Sequence, residues 1–132
     1  MPVTITMRDE TTAGDKIHEL TLSLLTEQVT VRELIRSRVY QEVKDHNVRG
    51  ALSVFNGLVA PSDSERQQNG FRLREPRQID WKKQFETAVE AFQRNGFIVL
   101  VDRQQVVDLD EEVLLRPGSE VSFLKLIPLV GG

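Results

Sequence analysis

The sequence predicts an α+β fold, and three observations support that class. Segments 3–8 and 19–24 alternate apolar and polar residues, as strands with one buried face do. Two segments with helical apolar spacing, 30–45 and 80–95, lie on either side of a long polar excursion. Strand-like segments return before the C-terminus. A chain of 132 residues can bury one real core but is short for two full domains, so we expect one domain.

Composition and charge disfavour two classes of partner. Hydrophobic residues make up 39% of the chain and charged residues 28%, which is ordinary for a globular protein. The net charge of −3 comes from mixed signs without a basic stripe, so nucleic acid is not expected as a partner. The sequence has no apolar run of about eighteen residues and no N-terminal signal segment, which predicts a cytoplasmic protein without a membrane partner.

The residue types that usually carry catalysis are scarce. There is no cysteine, which excludes disulfides, thiolate metal sites and a cysteine nucleophile. His18 and His46 have no second ligand at a useful spacing, so we expect ordinary, partly exposed imidazoles and no metal site. Without a Gly-rich phosphate loop or a spaced carboxylate pair, the sequence predicts a protein that is not an enzyme and holds no cofactor.

The first half of the predicted fold is a hairpin followed by a helix. The polar stretch 9–15 is expected to turn the chain between the two opening strands. Thr30 and Glu33 have the spacing of a capping box, which begins a helix that ends at about Asp45. We expect this main helix to lie across the sheet. Its apolar face consists of Val31, Leu34, Ile35, Val39 and Val43.

Residues 46–95 read as an insertion, made of a loop at 46–79 and a helix at 80–95. Segments 51–55 and 71–74 are compatible with short strands, whereas 61–70 has the polar composition of a mobile surface loop. The helix begins at the cap Asp80 and ends at Asn95-Gly96. Helical spacing indicates core packing for its apolar residues Trp81, Phe85, Ala88, Val89 and Phe92.

The last part of the chain predicts strands that lead to an unusual terminus. The apolar run 97–101 predicts a buried central strand, 102–105 a turn, and 120–127 a final strand. The sequence then stops on Gly131 and Gly132, at the end of a tail, 128–132, that we expect to be flexible. Residues without a Cβ atom can thread a narrow channel, so this carboxylate is one that another enzyme can grip and activate.

Several segments resemble the β-grasp, ubiquitin-like proteins, and among them the small sulfur carriers of molybdopterin and thiamin biosynthesis. Residues 30–35 resemble the start of their helix, and 99–106 resemble their central strand and turn. The closest match is 115–123 running into 130–132, which resembles their leucine, turn, final strand and terminal Gly-Gly. The resemblance leaves out the excursion.

The resemblance implies a β-grasp (ubiquitin-like) fold over residues 1–132, with a mixed sheet packed by one main helix. The inserted loop and second helix would come before the third strand. It also implies that an adenylating enzyme of the ubiquitin-activating type uses ATP to activate the Gly132 carboxylate, and grips the tail at Gly131, Val130 and Leu129. The chain itself would then be a substrate, with ATP bound by its partner.

The resemblance leaves three functions open. In a protein modifier, the acyl group of Gly132 passes to a partner cysteine and then to a target lysine, with conjugating enzymes and deconjugating proteases as further partners. In a sulfur carrier, the same group becomes a thiocarboxylate for molybdopterin, thiamin or tRNA thiolation. The third alternative is a β-grasp binding module that is not conjugated.

Alternation in the final strand predicts a docking surface beside the tail. Val121 and Phe123 should point inward, which leaves Ser122, Leu124 and Leu126 outward. Outward leucines resemble the apolar patch that ubiquitin-like proteins show to activating enzymes, and exposed apolar clusters tend to mark partners. We therefore expect a patch at Leu124 and Leu126, unless the second helix or the excursion covers it.

Overall fold

The computed structural model describes residues 2–12, 16–49, 55, 57–61, 64–67, 70–73 and 78–126. Their α+β architecture confirms the predicted class. In chain order the elements are β1 (Val3–Thr11), β2 (Lys16–Leu24), β3 (Gln28–Thr30), α1 (Val31–Arg49), β4 (Ser64–Gln67), β5 (Gly70–Leu73), α2 (Trp81–Gln93), β6 (Phe97–Val101), β7 (Gln104–Val106), β8 (Glu112–Leu114) and β9 (Glu120–Lys125).

The chain divides into two compact units. The first comprises Met1–Val31 and Asn95–Gly132, and the second comprises Arg32–Arg94. The first unit therefore holds the N-terminal and C-terminal strands, while the second holds most of α1, the excursion and α2. The predicted tail residues Leu129, Val130, Gly131 and Gly132 lie outside the described residues, and the insertion boundaries at 46 and 95 stay a prediction.

The first unit is built on a mixed five-stranded sheet in the order β2-β1-β9-β6-β7. β1 pairs in parallel with β9, and every other neighbour in this sheet is antiparallel. The last strand is thus the central one, with the first strand on one side and β6 on the other. A second, two-stranded sheet joins β3 to β8. The pairing of β1 with β9 therefore joins segments that are more than 100 residues apart in the sequence.

Alternation along the strands produces the buried face of this unit. Val3, Ile5 and Met7 are buried in β1 while Thr4 is exposed, which confirms the strand and its inward face. Val121 and Phe123 are fully buried in β9, as predicted. The other buried apolar residues of these strands are Leu24, Phe97, Val99, Val101 and Val106.

The predicted turn at residues 9–15 begins before the observed end of β1. β1 continues to Thr11, with an irregular register between Asp9 and Glu10, and both of these acidic residues are buried. A polar pair at the end of an apolar strand normally indicates a solvated turn. Here cations from elsewhere in the chain accompany both carboxylates, which permits the strand to continue.

Helix α1 confirms the predicted apolar face and adds a polar one. Its five predicted apolar residues are all buried, and the helix runs four residues beyond the predicted end, to Arg49. Arg38, Glu42 and His46 are buried as well. They are four residues apart, so they form one row along the helix. This row is the feature of the second unit that the hydrophobic pattern did not predict.

A buried ion pair accounts for the first two residues of that row. Arg38 Nε donates to Glu42 Oε2 at 2.7 Å, and the amide of Leu58 lies 3.1 Å from each oxygen of the Glu42 carboxylate. A buried charge is tolerated when it is paired and its remaining lone pairs are satisfied. The carboxylate therefore ties α1 to the segment at 57–61.

The excursion contains more structure than the predicted loop. β4 and β5 form an antiparallel hairpin, so the loop assignment is wrong for Ser64–Gln67, whereas the strand predicted near 71–74 is present. Phe55 pairs with Phe71 through two backbone hydrogen bonds of 2.7 and 2.8 Å. A Cβ atom at Gly57 would lie 2.1 Å from the Phe55 ring, so only glycine fits there. The rest of the predicted strand at 51–55 lies outside the described residues.

Helix α2 begins as its sequence indicates. The Asp80 carboxylate accepts a hydrogen bond from the Lys82 amide at 3.0 Å, and Asn95 takes a positive φ of 62° just after the helix. Of the five apolar residues predicted to pack in the core, Ala88 and Phe92 are buried, whereas Trp81, Phe85 and Val89 are half-buried. The polar Gln84 is buried as well, and its amide donates to the Val59 carbonyl at 3.2 Å.

The burial of His46 corrects the expectation of two partly exposed imidazoles. His18 is half-buried, but His46 is fully buried and packs edge-on against Phe55, with ring centroids 5.4 Å apart. Burial lowers the pKa of His46, and the positive charge of Arg49 lowers it further. The imidazole is therefore held in its neutral form.

This pKa shift makes stability depend on pH. Below about pH 6.5 an unfolded chain takes up a proton that the folded chain refuses, so the free energy of unfolding should fall as pH falls from there through the lowered pKa of His46. Replacing His46→Gln should remove this slope, and thermal unfolding measured across that pH range checks it. His18→Gln is the matched control and should keep the slope. An unchanged slope in the His46 variant would contradict the assignment.

Candidate functional site at the end of the last strand

The candidate site is the part of the sheet from which the C-terminal residues continue. β9 ends at Lys125, and Leu126 is the last described residue. In the sheet register Lys125 lies opposite Thr11 of β1 and Phe97 of β6. The end of β9 therefore fixes the point in the sheet from which the rest of the chain continues.

One buried ion pair joins the end of β9 to β1. Lys125 Nζ lies 3.3 Å from Asp9 Oδ2, and the Asp9 side chain is only 1% exposed. A buried carboxylate next to an ammonium group is stabilised in its charged form, whereas either charge alone would be costly at this depth. The pair therefore couples the position of Lys125 to the first strand.

A second pair lies beside it, between Glu10 and Arg103. Arg103 Nη1 donates to Glu10 Oε2 at 2.8 Å and lies 3.5 Å from the hydroxyl of Ser122 in β9. Burial by itself raises the pKa of Glu10. Hydrogen bonds from Arg103 and Ser122, together with the charges of Arg103 and Arg8, outweigh that effect and hold the pKa of Glu10 below its ordinary value. Glu10 is therefore an ionised, buried anchor.

The turn that carries Arg103 has an uncommon backbone. Asp102 and Arg103 have φ values of 48° and 70°, so the two-residue loop between β6 and β7 has both central residues in the left-handed region. Such conformations cost roughly 1–3 kcal/mol for non-glycine residues and persist where neighbours enforce them. Asp102 provides that enforcement: its carboxylate accepts from the Glu120 amide at 2.9 Å and from the Ser119 hydroxyl at 3.1 Å.

The start of β9 is anchored separately. Arg8 Nη1 and Nη2 donate to the two oxygens of Glu120 at 2.9 and 3.2 Å, and Nη2 also lies 3.3 Å from Glu19 Oε2. This two-pronged contact fixes both distance and orientation. Charged side chains thus hold β9 to β1 at both of its ends.

Of the three residues predicted to face outward, one is buried and two are half-buried. Ser122 is buried, because Arg103 and Glu10 lie beside it, so its predicted outward exposure is wrong. Leu124 and Leu126 are half-buried, and Leu124 faces Ile98 across the β9–β6 pair. The role of Leu124 and Leu126 as a docking patch stays a prediction.

The charged contacts of this region hold β9 beside β1. Within the described residues, no three His, Asp or Glu side chains lie close enough together to hold a metal ion. Neither of the two described helices is long and apolar enough to cross a membrane. The chemistry that this region offers is electrostatic, since paired charges lock the last strand in the sheet.

Sequence reasoning missed all four residues of the two ion pairs at the end of β9. Arg103 and Glu10 are 93 residues apart, so no local spacing announces their contact. One signal was present: the alternation of Val3, Ile5 and Met7 continues onto Asp9, which places that carboxylate on the buried side. A buried acidic residue requires a cation, but the sequence alone did not indicate which one.

A scan against protein-family models finds none that matches the sequence, and a search of curated proteins finds no matching relative. The candidate site is therefore interpreted from its own geometry.

The Glu10 anchor leads to a pH prediction. Above about pH 4.3 the ionised Glu10 should stabilise the folded chain, and this contribution should be lost as pH falls through its lowered pKa. At neutral pH, Glu10→Gln should lower the free energy of unfolding by about 1 kcal/mol, because a charged partner of Arg103 becomes neutral. Urea unfolding at several pH values checks whether this difference disappears in acid.

Glu111→Gln is the control for this measurement, since Glu111 is an exposed carboxylate of the same unit. It should change the free energy of unfolding by less than about 0.5 kcal/mol at any pH. Equal effects of the two substitutions would show that Glu10 is not a buried anchor.

Proposed function

We propose that this protein is a ubiquitin-like modifier whose Gly132 carboxylate is activated by an adenylating enzyme and transferred to a partner cysteine and then to a target lysine. The chain is the substrate in this scheme, and its partners bind ATP and carry out catalysis. ATP-dependent activation of a chain without cysteine fits a cytoplasmic protein.

The observation that carries the proposal is the topology of the sheet. In a β-grasp sheet the first and last strands lie side by side and parallel, with the N-terminal hairpin on one side. The order β2-β1-β9-β6-β7, with β1 parallel to β9, has this arrangement. The proposal takes the fold to be a β-grasp, with α1 as its main helix.

The proposal places the activated carboxylate on the tail that continues from the end of β9 at Lys125. An adenylating enzyme would dock beside the sheet and take this tail into its active site. Leu129, Val130 and Gly131 would then lie within the entrance channel of that enzyme, and glycine would fit its narrowest part.

Each half of the proposed reaction follows from ordinary carboxylate chemistry. An oxygen of the Gly132 carboxylate attacks ATP, pyrophosphate leaves, and an acyl-adenylate forms. A thiolate of the partner displaces AMP to give a thioester, and a lysine amine of the target then displaces the thiolate to give an isopeptide bond. No residue of this chain other than Gly132 takes part covalently.

A sulfur carrier is the second candidate, favoured by the segment at 115–123. There Gly118 takes a positive φ of 84° in the turn before β9, and the Ser119 hydroxyl accepts a hydrogen bond from the Arg116 amide at 2.9 Å. This is the turn whose sequence resembles that of the sulfur carriers. In that case a sulfide-level sulfur nucleophile supplied by a partner displaces AMP from the acyl-adenylate, which leaves a thiocarboxylate on Gly132.

The proposal is tested by incubating the purified chain with ATP and a ubiquitin-activating-type enzyme of the same organism, with a lysate as the source of target proteins. Intact mass and western blotting should show the chain joined through Gly132 to lysine-bearing proteins. A chain lacking Gly132 should give no product. Replacement of one oxygen by sulfur would support the carrier instead, and no ATP-dependent product with either fate would contradict both.

The same assay tests the docking patch with a matched pair of leucines. Leu124→Arg should slow activation, because a charge would enter the half-buried surface proposed to face the enzyme. Leu25→Arg is the control, since Leu25 is 86% exposed and lies between strands. Equal rates for the two variants would remove Leu124 from the docking surface.

A further inference from the structure

Helix α1 carries an exposed row of basic and aromatic side chains, namely Arg32, Arg36, Tyr40 and Lys44. Residues four apart on a helix are neighbours, so these four form an inclined ridge along one side. All four are exposed, and the ridge itself contains no carboxylate. The chain as a whole has a net charge of −3, so this row of cations stands out from the average surface.

Trp81 at the start of α2 completes this surface. Its ring lies edge-to-face with Tyr40, with centroids 5.4 Å apart at 87°. The guanidinium carbon of Arg36 lies 5.2 Å from the Trp81 ring centroid, as in a cation–π contact. We call this set, Arg32, Arg36, Tyr40, Lys44 and Trp81, the basic-aromatic strip.

The contacts within the strip hold its side chains in place before any partner binds. Tyr40 remains 44% exposed although it contacts Trp81. Arg36 also pairs with Glu33 at 3.3 Å, but both side chains are about half exposed, at 47% and 44%. Exposed pairs of this kind contribute little, so an incoming carboxylate can replace Glu33. Tryptophan, tyrosine and arginine are the residue types most enriched among the binding hot spots of protein interfaces.

We propose that the basic-aromatic strip is a docking surface for an acidic segment of a partner protein. Carboxylates of that segment pair with Arg32, Arg36 and Lys44, while an apolar side chain packs against Tyr40 and Trp81. The positive charge of the ridge favours a negatively charged partner. The ordered pair of Tyr40 and Trp81 supplies apolar contact area at a low cost in side-chain entropy. The strip belongs to the second unit and does not depend on any reaction at Gly132.

An acidic protein segment suits this surface better than nucleic acid does. Trp81 already contacts both Arg36 and Tyr40, whereas single-stranded nucleic acid requires aromatic faces on which bases can stack. The overall charge of −3 also opposes a long polyanion, while a short acidic segment meets only the local row of cations.

The composition of the chain provides a direct probe of the strip. Trp81 is the only tryptophan and Tyr40 the only tyrosine, so intrinsic fluorescence reports on this surface alone. The ligand used is a short synthetic peptide of glutamates around a central leucine pair, blocked at both ends and carrying a fluorophore for anisotropy. We expect saturable binding together with a change in Trp81 emission, and weaker binding as salt is raised.

The variants separate a specific site from a general charge effect. Arg36→Glu removes one attraction and adds one repulsion, so it should weaken peptide binding about tenfold. Lys44→Glu should act in the same direction and serves if Arg36→Glu does not fold. Arg116→Glu makes the same change in net charge at an exposed turn of the other unit and should weaken binding less than about twofold.

Three results would overturn the proposal. The first is equal binding of a peptide in which glutamines replace the glutamates. The second is equal weakening by Arg36→Glu and Arg116→Glu, which would indicate an effect of net charge alone. The third is tighter binding of a single-stranded thymidine oligonucleotide than of the acidic peptide, which would assign the strip to nucleic acid.

Discussion

Two carboxylates, Asp9 and Glu10, are buried at the end of the first strand, and the need to neutralise them constrains how the last strand ends. Asp9 is paired with Lys125, the final residue of β9, and Glu10 with Arg103 in the turn after β6. A buried carboxylate without its cation would be costly, so each pair favours the arrangement in which β1 continues to Thr11 beside the end of β9.

The second unit also contains a buried ion pair, which lies within a helix. Arg38 and Glu42 are buried together in α1, and the Leu58 amide donates to the Glu42 carboxylate, so a polar contact joins the helix to the apolar segment at 57–61. In both units the apolar residues supply most of the buried area, while a few buried charges decide which segments meet. A buried apolar side chain can pack against many different apolar neighbours, whereas a buried charge is stabilised only by its counterion.

This division explains what the sequence could and could not predict. The alternation of Val3, Ile5 and Met7, the apolar face of α1 and the Asp80 cap are local patterns, and each predicted its element correctly. The partners of Asp9 and Glu10 lie far away in sequence. The sequence therefore predicts a turn from residue 9, although β1 continues to Thr11, and an exposed Ser122, although this residue is buried. His46 and β4 were missed because polar residues usually indicate solvent, and here they are buried or paired. The resemblance to the sulfur carriers concerns Gly131 and Gly132, and it does not indicate which side chains hold β9 in the sheet.

Hydrogen exchange of the β9 amides tests most directly whether the buried charge pairs hold the last strand in the sheet. The comparison is between the native chain and Asp9→Asn, which leaves Lys125 without its carboxylate. We expect faster exchange at residues 123–126, with the amides of β2 unchanged, because loss of the pair frees only the end of β9. Unchanged exchange at 123–126, or an equal increase throughout the sheet, would contradict a local role for this pair.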